Sequence, residues 1–250
     1  MATKLTVTKT SLDTIQSFRI NFLQENNFQF TYDKCHRYGW ADTWLIEVNN
    51  IQAGYAAVWG QSKRQDRDAI FEFYLLKPYR NIASAIFDKV VSETGATWIE
   101  CQSNDVLLTS MLYEFTSNIL AEAILFEDHV ETELYIPGVR IGRKISEENS
   151  GDDVGGYFLE QQGEMVATGG FMLNYNFPYA DIYMEVKEPF RRNGLGSLMV
   201  QELKKEIYRI GRVPAARCNI MNRASKATLL KAGFAPCGFR LKGTIKGVNL

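Results

Sequence analysis

Histidine and cysteine are scarce in this chain of 250 residues, which has two of the first, four of the second and a net charge of −1. Cys35, Cys101, Cys218 and Cys237 lie far apart, and no pair has the spacing of metal ligands. A chain of this size does not need disulfide staples, so the thiols are expected to be buried and reduced, as in a cytoplasmic protein. No metal site is expected, and neither His36 nor His129 is assigned a role. The near-balanced charge offers no basic field for nucleic acid and no block of like charge for a solvated tail. Apolar runs are short and interrupted, which excludes a membrane-spanning helix. Met1 to Leu5 lacks the apolar core of a secretory signal.

What the chain does have is a segment of unusual composition, Val186-Lys187-Glu188-Pro189-Phe190-Arg191-Arg192-Asn193-Gly194-Leu195-Gly196-Ser197. It reads as a strand that enters a turn and then opens a helix. Backbone N–H groups at a helix start lack intrahelical partners, and with the helix dipole and nearby guanidinium charge they form a site for a phosphorylated ligand. Glycine lets the backbone approach that ligand, because no Cβ intervenes. The competing interpretation of this segment is an ordinary strand-to-helix turn.

A fainter copy occurs earlier, in Leu75-Leu76-Lys77-Pro78-Tyr79-Arg80-Asn81-Ile82-Ala83-Ser84-Ala85. Aligned on Pro78 and Pro189, both give an aliphatic residue, Pro, an aromatic and Arg at the same offsets. Ala83 and Ala85 stand where Gly194 and Gly196 stand. Upstream, Trp44–Glu47 and the turn at Asn49-Asn50 parallel Tyr157–Glu160 and the turn near Gly163. Downstream, Glu100-Cys101 with Asn104 parallels Arg217-Cys218 with Asn222. Three matches in one order indicate a duplicated unit. Pro137-Gly138 is the expected boundary, which gives residues 1–136 and 137–250.

Each unit is expected to be α/β, a mixed central sheet flanked by helices. The first has a helix from Leu12, with Ile15, Phe18, Phe22 and Leu23 on one face. Strands follow near 43–48, 51–59 and 70–76, then a helix over 82–94 that Gly95 stops, a strand near 97–102, a helix near 107–115 and strands between 119 and 135. Ser146 to Asp153 reads as an exposed loop. The second unit repeats strand, strand, strand, helix, strand, helix, strand. In its first helix, Leu195, Leu198, Met199, Leu203 and Ile207 form an apolar stripe, and Lys204, Lys205 and Arg209 are expected to face water.

The segment from Val186 to Gly196 resembles the acyl-CoA-binding motif of the GNAT superfamily of N-acetyltransferases, through Arg191, Gly194 and Gly196. A second motif of that family follows at its usual distance, from Asn222 through Ala227, Leu229 and Lys231 to Gly233-Phe234. The resemblance covers about residues 155–245 and, more faintly, 43–132. It implies a tandem protein whose first copy has decayed. It also implies acetyl-CoA or another acyl-CoA as co-substrate and an amine as acceptor.

On this resemblance the pyrophosphate would rest on the amides of Arg192, Asn193, Gly194, Leu195, Gly196 and Ser197, with Arg191 at the head of the loop. A bulge near Met184–Val186 would splay this strand from the one ending at Cys218, and the pantetheine arm would lie in the gap. An N–H near Val186 would hold the thioester carbonyl and its oxyanion. Asn222 would bond the pantetheine or order its own helix. Leu229 stands where many family members carry the Tyr that protonates departing CoA. CoA thiolate is a tolerable leaving group, with a pKa near that of a free thiol at roughly 8.5, and Tyr183 or a water could serve as acid. The candidate general bases are Asp181 and Glu185 on the strand before the loop, with Asp181 favoured. In the first unit, the methyls of Ala83 and Ala85 would stand where the backbone should meet a phosphate.

Overall fold

The computed structural model describes residues 3–29, 32–144 and 151–247. Most of the Ser146–Asp153 run therefore lies outside the described residues. The chain is α/β and divides into two compact units. Unit 1 comprises residues 1–122 and 239–250, and unit 2 comprises residues 123–238.

The elements from unit 1 into the junction are, in order, β1 (Leu5–Thr10), α1 (Leu12–Leu23), α2 (Tyr32–Arg37), β2 (Ala41–Val48), β3 (Ile51–Trp59), β4 (Ala69–Leu75), α3 (Ala83–Thr94), β5 (Trp98–Gln102), α4 (Val106–Phe115) and β6 (Thr116–Asp128). Then come β7 (Val139–Arg143), β8 (Asp153–Gln161), β9 (Glu164–Met172), β10 (Tyr179–Val186), α5 (Leu195–Arg209), β11 (Val213–Asn219), α6 (Arg223–Lys231) and β12 (Phe234–Ile245). Unit 1 is ordered β1-β2-β3-β4-β5-β12, and unit 2 is ordered β6-β11-β10-β9-β8-β7.

This partition differs from the expected boundary at Pro137. The end of β6, Ala123–Glu127, pairs with β11 in unit 2, and the end of β12, Arg240–Thr244, pairs with β5 in unit 1. Each unit therefore takes its last strand from the chain that follows the other unit's α/β repeat. One long strand, β6, replaces the several strands expected between 119 and 135. Strands β1 and β7 and the short helix α2 carry too little period to be read from sequence.

The hairpins follow from local chemistry. Asn49 and Asn50 sit at φ 52° and 65°, and Gln162 and Gly163 at 53° and 81°. These left-handed pairs close the β2–β3 and β8–β9 hairpins with the twist that two-residue turns require. Strand β4 is buried along its whole length, as a central strand covered on both faces must be. Helix α3 ends at Gly95, which takes φ 66°.

Helix α5 buries Leu195, Leu198, Met199, Leu203 and Ile207 against unit 2's sheet. Each such side chain contributes roughly 1.5–3 kcal/mol. Lys204 does not face water as expected. It is 3% exposed. Its ammonium lies 2.5 Å from Asp128, donates to the carbonyls of Val130 and Ala232 at 2.8 and 2.9 Å, and sits over the Phe234 ring. A cation on a core-facing helix position is held by this full set of partners.

Candidate active site

The site in unit 2 begins where two strands part. β10 and β11 pair in parallel only at Tyr179↔Val213, Ala180↔Pro214 and Asp181↔Ala215. β10 then continues to Val186 and β11 to Asn219 with no further pairing between them. On its other side β10 stays in unbroken register with β9, from Asp181↔Met172 to Val186↔Ala167. The strands thus splay, but the expected bulge in β10 is absent from that ladder. Beyond Asp181 the β11 side of β10 has no strand partner, and the Val186 carbonyl at its end accepts from Arg191 Nε.

A braced turn follows the splay. The Lys187 N–H donates to Val166, Phe190 N–H to Lys187 at 2.9 Å, and Arg191 N–H to Glu188 at 3.2 Å. Pro189 sits inside this single 3-10 turn and fixes its φ. Arg191 Nε donates to the Val186 carbonyl at 3.0 Å. Arg192 at φ 66° and Gly194 at φ 80° then turn the chain into α5. No side chain caps that helix. The amides of Leu195, Gly196 and Ser197 are therefore open donors at the positive end of a 15-residue helix.

Packing sets what can stand here. A Cβ on Gly196 would lie 3.1 Å from Thr228 Cγ2 and 3.2 Å from Met184 Cε. Ser197 is buried and donates its hydroxyl proton to the Thr228 carbonyl at 3.1 Å. Asn222 caps α6, accepting from Ser225 N–H at 3.0 Å. Lys231 brings its ammonium to 3.5 Å from where a Cβ on Gly194 would be. Sequence reading noted Lys231 only as part of a motif. Its position by the loop follows from α6 packing on α5, and no linear signal carries it.

The catalytic candidates Asp181, Tyr183 and Glu185 share one face of β10 by alternation. Asp181 is buried and 3.5 Å from Arg217 Nε, while Arg217 also donates to the Tyr175 hydroxyl at 2.7 Å. Tyr183 reaches over Gly170 and donates to Asp153 at 2.5 Å. Asp153 lies on β8, beyond β9, so the phenol points away from β11 and the splay. Its pKa is raised, first by burial and then by the Asp153 carboxylate, which makes it a reluctant acid. Glu185 is exposed, 4.0 Å from Arg191. Leu229 is 5% exposed within the core of unit 2. Cys218 is buried too, its pKa raised first by burial. A cavity of about 700 Å³ lies on a flank of α5, lined by Leu134, Ile136, Val139, Leu159 and Gln201, and Ile136 is 3.6 Å from where a Cβ on Gly194 would be. No residue of β10 borders it.

Unit 1 repeats much of this framework, with a longer 3-10 turn, Lys77–Ile82, that runs straight into α3. β4 and β5 pair only at Ala69↔Trp98 and Ile70↔Ile99. Tyr79 N–H donates to Leu76 at 2.9 Å, and Arg80 Nε to the Leu75 carbonyl at 2.8 Å. Asp105 caps α4 through Leu108 N–H at 3.1 Å. The residues filling the framework differ, since β4 carries fully buried Glu72 with Arg19, His36 and Tyr55 around it.

A strand splay, a braced turn and a helix start without a side-chain cap occur twice in this chain, and in unit 2 the turn is made by glycine. The family models agree, with an acetyltransferase (GNAT) domain over residues 11–129 and an FR47-like protein over residues 156–238. The chain is a tandem GNAT acetyltransferase.

Solved GNAT structures share its fold from end to end. An acetyltransferase of the GNAT family from Colwellia psychrerythraea has TM-score 0.71 at 13% identity, covering 98% of this chain and 100% of its own. A tandem GNAT protein from the clavulanic acid biosynthesis pathway has TM-score 0.62 at 11% identity, covering 98% and 100%. A GCN5-related N-acetyltransferase from Sphaerobacter thermophilus has TM-score 0.60 at 11% identity, covering 98% of each chain. No curated protein matches this GNAT chain by sequence. Among its described residues, no helix is long and apolar enough to cross a membrane.

Proposed function

We propose that unit 2 transfers an acyl group, acetyl in the first instance, from acyl-CoA to an amine by direct attack in a ternary complex. The observation that carries this is the coincidence of the β10–β11 splay with the open amides at Gly194–Ser197. Those amides, Arg191 and Arg192 would take the pyrophosphate. The pantetheine arm would lie along Met184 to Val186, and an N–H near Val186 would stabilise the oxyanion. Gly196 fits the close packing of the helix start, since any side chain there would meet Thr228 and Met184.

In this reading the amine lone pair attacks the thioester carbonyl carbon. The tetrahedral intermediate collapses to the amide and CoA thiolate. Asp181 takes the proton that nitrogen loses, directly or through water, and the thiolate receives one from solvent. Arg217 anchors Asp181 on the acceptor face of β10. Glu185 is the lesser candidate base, and Tyr183, bound to Asp153, is the weaker choice of acid. Asn222 acts by ordering α6. The four free thiols, three of them buried, fit a reducing compartment, which we take to be the cytoplasm.

Calorimetric titration with acetyl-CoA tests the donor. Binding is expected for the native chain and is expected to be lost in Gly194→Glu, which puts a carboxylate at the loop. A second reading, a non-catalytic acyl-CoA-binding module, draws on buried Leu229 at the usual acid position and on the commitment of Tyr183 to Asp153. Steady CoA release with a panel of amines would exclude it.

A further inference from the structure

Both units build a strand splay and brace the turn after it with the same amide and arginine bonds, but the charge placed beside the turn is opposite. Counted from the caps Asp105 and Asn222, helices α4 and α6 run in step. The buried pair Leu112 and Leu229 correspond, and two residues later Glu114 corresponds to Lys231. In unit 2, Lys231 Nζ approaches Gly194. In unit 1, Glu114 accepts a hydrogen bond from Ser84 Oγ at 2.8 Å. Ser84 is in the first turn of α3, whose start also lacks a side-chain cap of its own. Lys246 of unit 1 reaches the Glu114 carbonyl and leaves its carboxylate to Ser84.

The arginines at the heads of the two turns differ in the same sense. Arg80 is paired with Glu25 and held over the Tyr74 ring. Among the described residues, the carboxylate nearest Arg191 is that of exposed Glu185, at 4.0 Å. A carboxylate near a helix start is itself stabilised there, because it takes the place of an external anion in the field of the dipole. It also repels any phosphate that approaches.

We infer that one residue on the helix after the splay decides which unit accepts a phosphorylated donor. Lys231 is a donor-phosphate residue in unit 2, and Glu114 is a built-in carboxylate that closes unit 1 to anions. This rests on the reading of unit 2 as the acyl-CoA site. It adds that donor selectivity between the copies is electrostatic and does not follow from the glycine-to-alanine changes alone.

The test uses the full chain, with CoA and pantetheine as probes. Pantetheine carries the same arm without pyrophosphate. Native protein is expected to bind one CoA per chain. Lys231→Glu, an exposed change, is expected to weaken CoA by about tenfold or more, the scale of one lost charge-assisted contact. Pantetheine binding, read by competition with acetyl-CoA, is expected to stay the same. Unchanged CoA affinity in Lys231→Glu would overturn the inference, as would equal losses for both probes or two CoA per native chain. No CoA binding by native protein would instead remove the donor reading itself.

Discussion

Arg191 donates a hydrogen bond from Nε to the carbonyl of Val186, the last residue of β10, at 3.0 Å. The bond closes the turn between the splayed strand and α5, and it leaves the rest of the guanidinium facing outward. Arg191→Ala is expected to weaken acetyl-CoA binding by about tenfold, through one lost charge-assisted contact and a looser turn. The melting temperature should barely move, because the side chain is exposed. Arg80→Ala, which breaks the equivalent bond to Leu75, is expected to leave acetyl-CoA affinity unchanged. Paired calorimetry and thermal melts on the two variants check this.

Gly194 and Gly211 both sit in the left-handed region, at φ 80° and 73°. Neither position is blocked by backbone, and a Cβ on Gly211 would meet nothing within 4 Å. Alanine at either place is expected to cost about 1–2 kcal/mol of stability from the left-handed backbone alone. Only Gly194→Ala is expected to weaken acetyl-CoA binding as well. Denaturant melts with binding curves separate the two effects.

Glu72 sets an acid limit on unit 1. Burial alone would raise its pKa, but Arg19, His36 and the Tyr55 hydroxyl outweigh burial and hold it down at about 2. A carboxyl with a depressed folded value stabilises the fold above its unfolded value, and the contribution fades as pH falls from about 4.5 toward 2. Glu72→Gln leaves Arg19 short of a partner and is expected to cost about 3–5 kcal/mol at pH 7. Its stability should then fall less than the native chain's across that acid window, as urea melts at stepped pH would show.

Asp105 acts in the opposite sense. Burial is the main cause that lifts its pKa to about 7, against the pull of the Leu108 N–H. The folded state therefore prefers the protonated acid. That preference is fully present below about 3.8 and is lost as pH rises through about 7. Asparagine caps a helix equally well, as Asn222 does on α6. Asp105→Asn is expected to melt higher than native protein at pH 8, with the gap closing by pH 4.

Asp181→Asn is expected to lower kcat by about 10²–10⁴-fold, the range for losing a general base. Acetyl-CoA affinity should be unchanged. Tyr183→Phe, which removes only the bond to Asp153, should change kcat little. Initial rates of CoA release with saturating acetyl-CoA report both.

Much of this was legible in the chain. Pro78-Tyr79-Arg80 and Pro189-Phe190-Arg191 announce the duplicated turn, because proline, aromatic and arginine each have a fixed local task in it. Strand β3 and the end of α3 at Gly95 follow from period and punctuation. The exchange of last strands was not legible, since β6 and β12 look alike whichever unit they join and register is settled by distant partners. Lys204 misled because helical spacing gives the face of a residue but not the Asp128 carboxylate waiting there. The contrast of Lys231 with Glu114 needed two helices to be packed before either charge had a neighbour.

The most direct measurement is a crystal structure of the full chain with acetyl-CoA. The pyrophosphate is expected on the amides between Arg192 and Ser197 and the acyl arm between β10 and β11, with the Ser84–Glu114 contact of unit 1 intact. Acetyl-CoA seated between β4 and β5, or away from both splays, would contradict this.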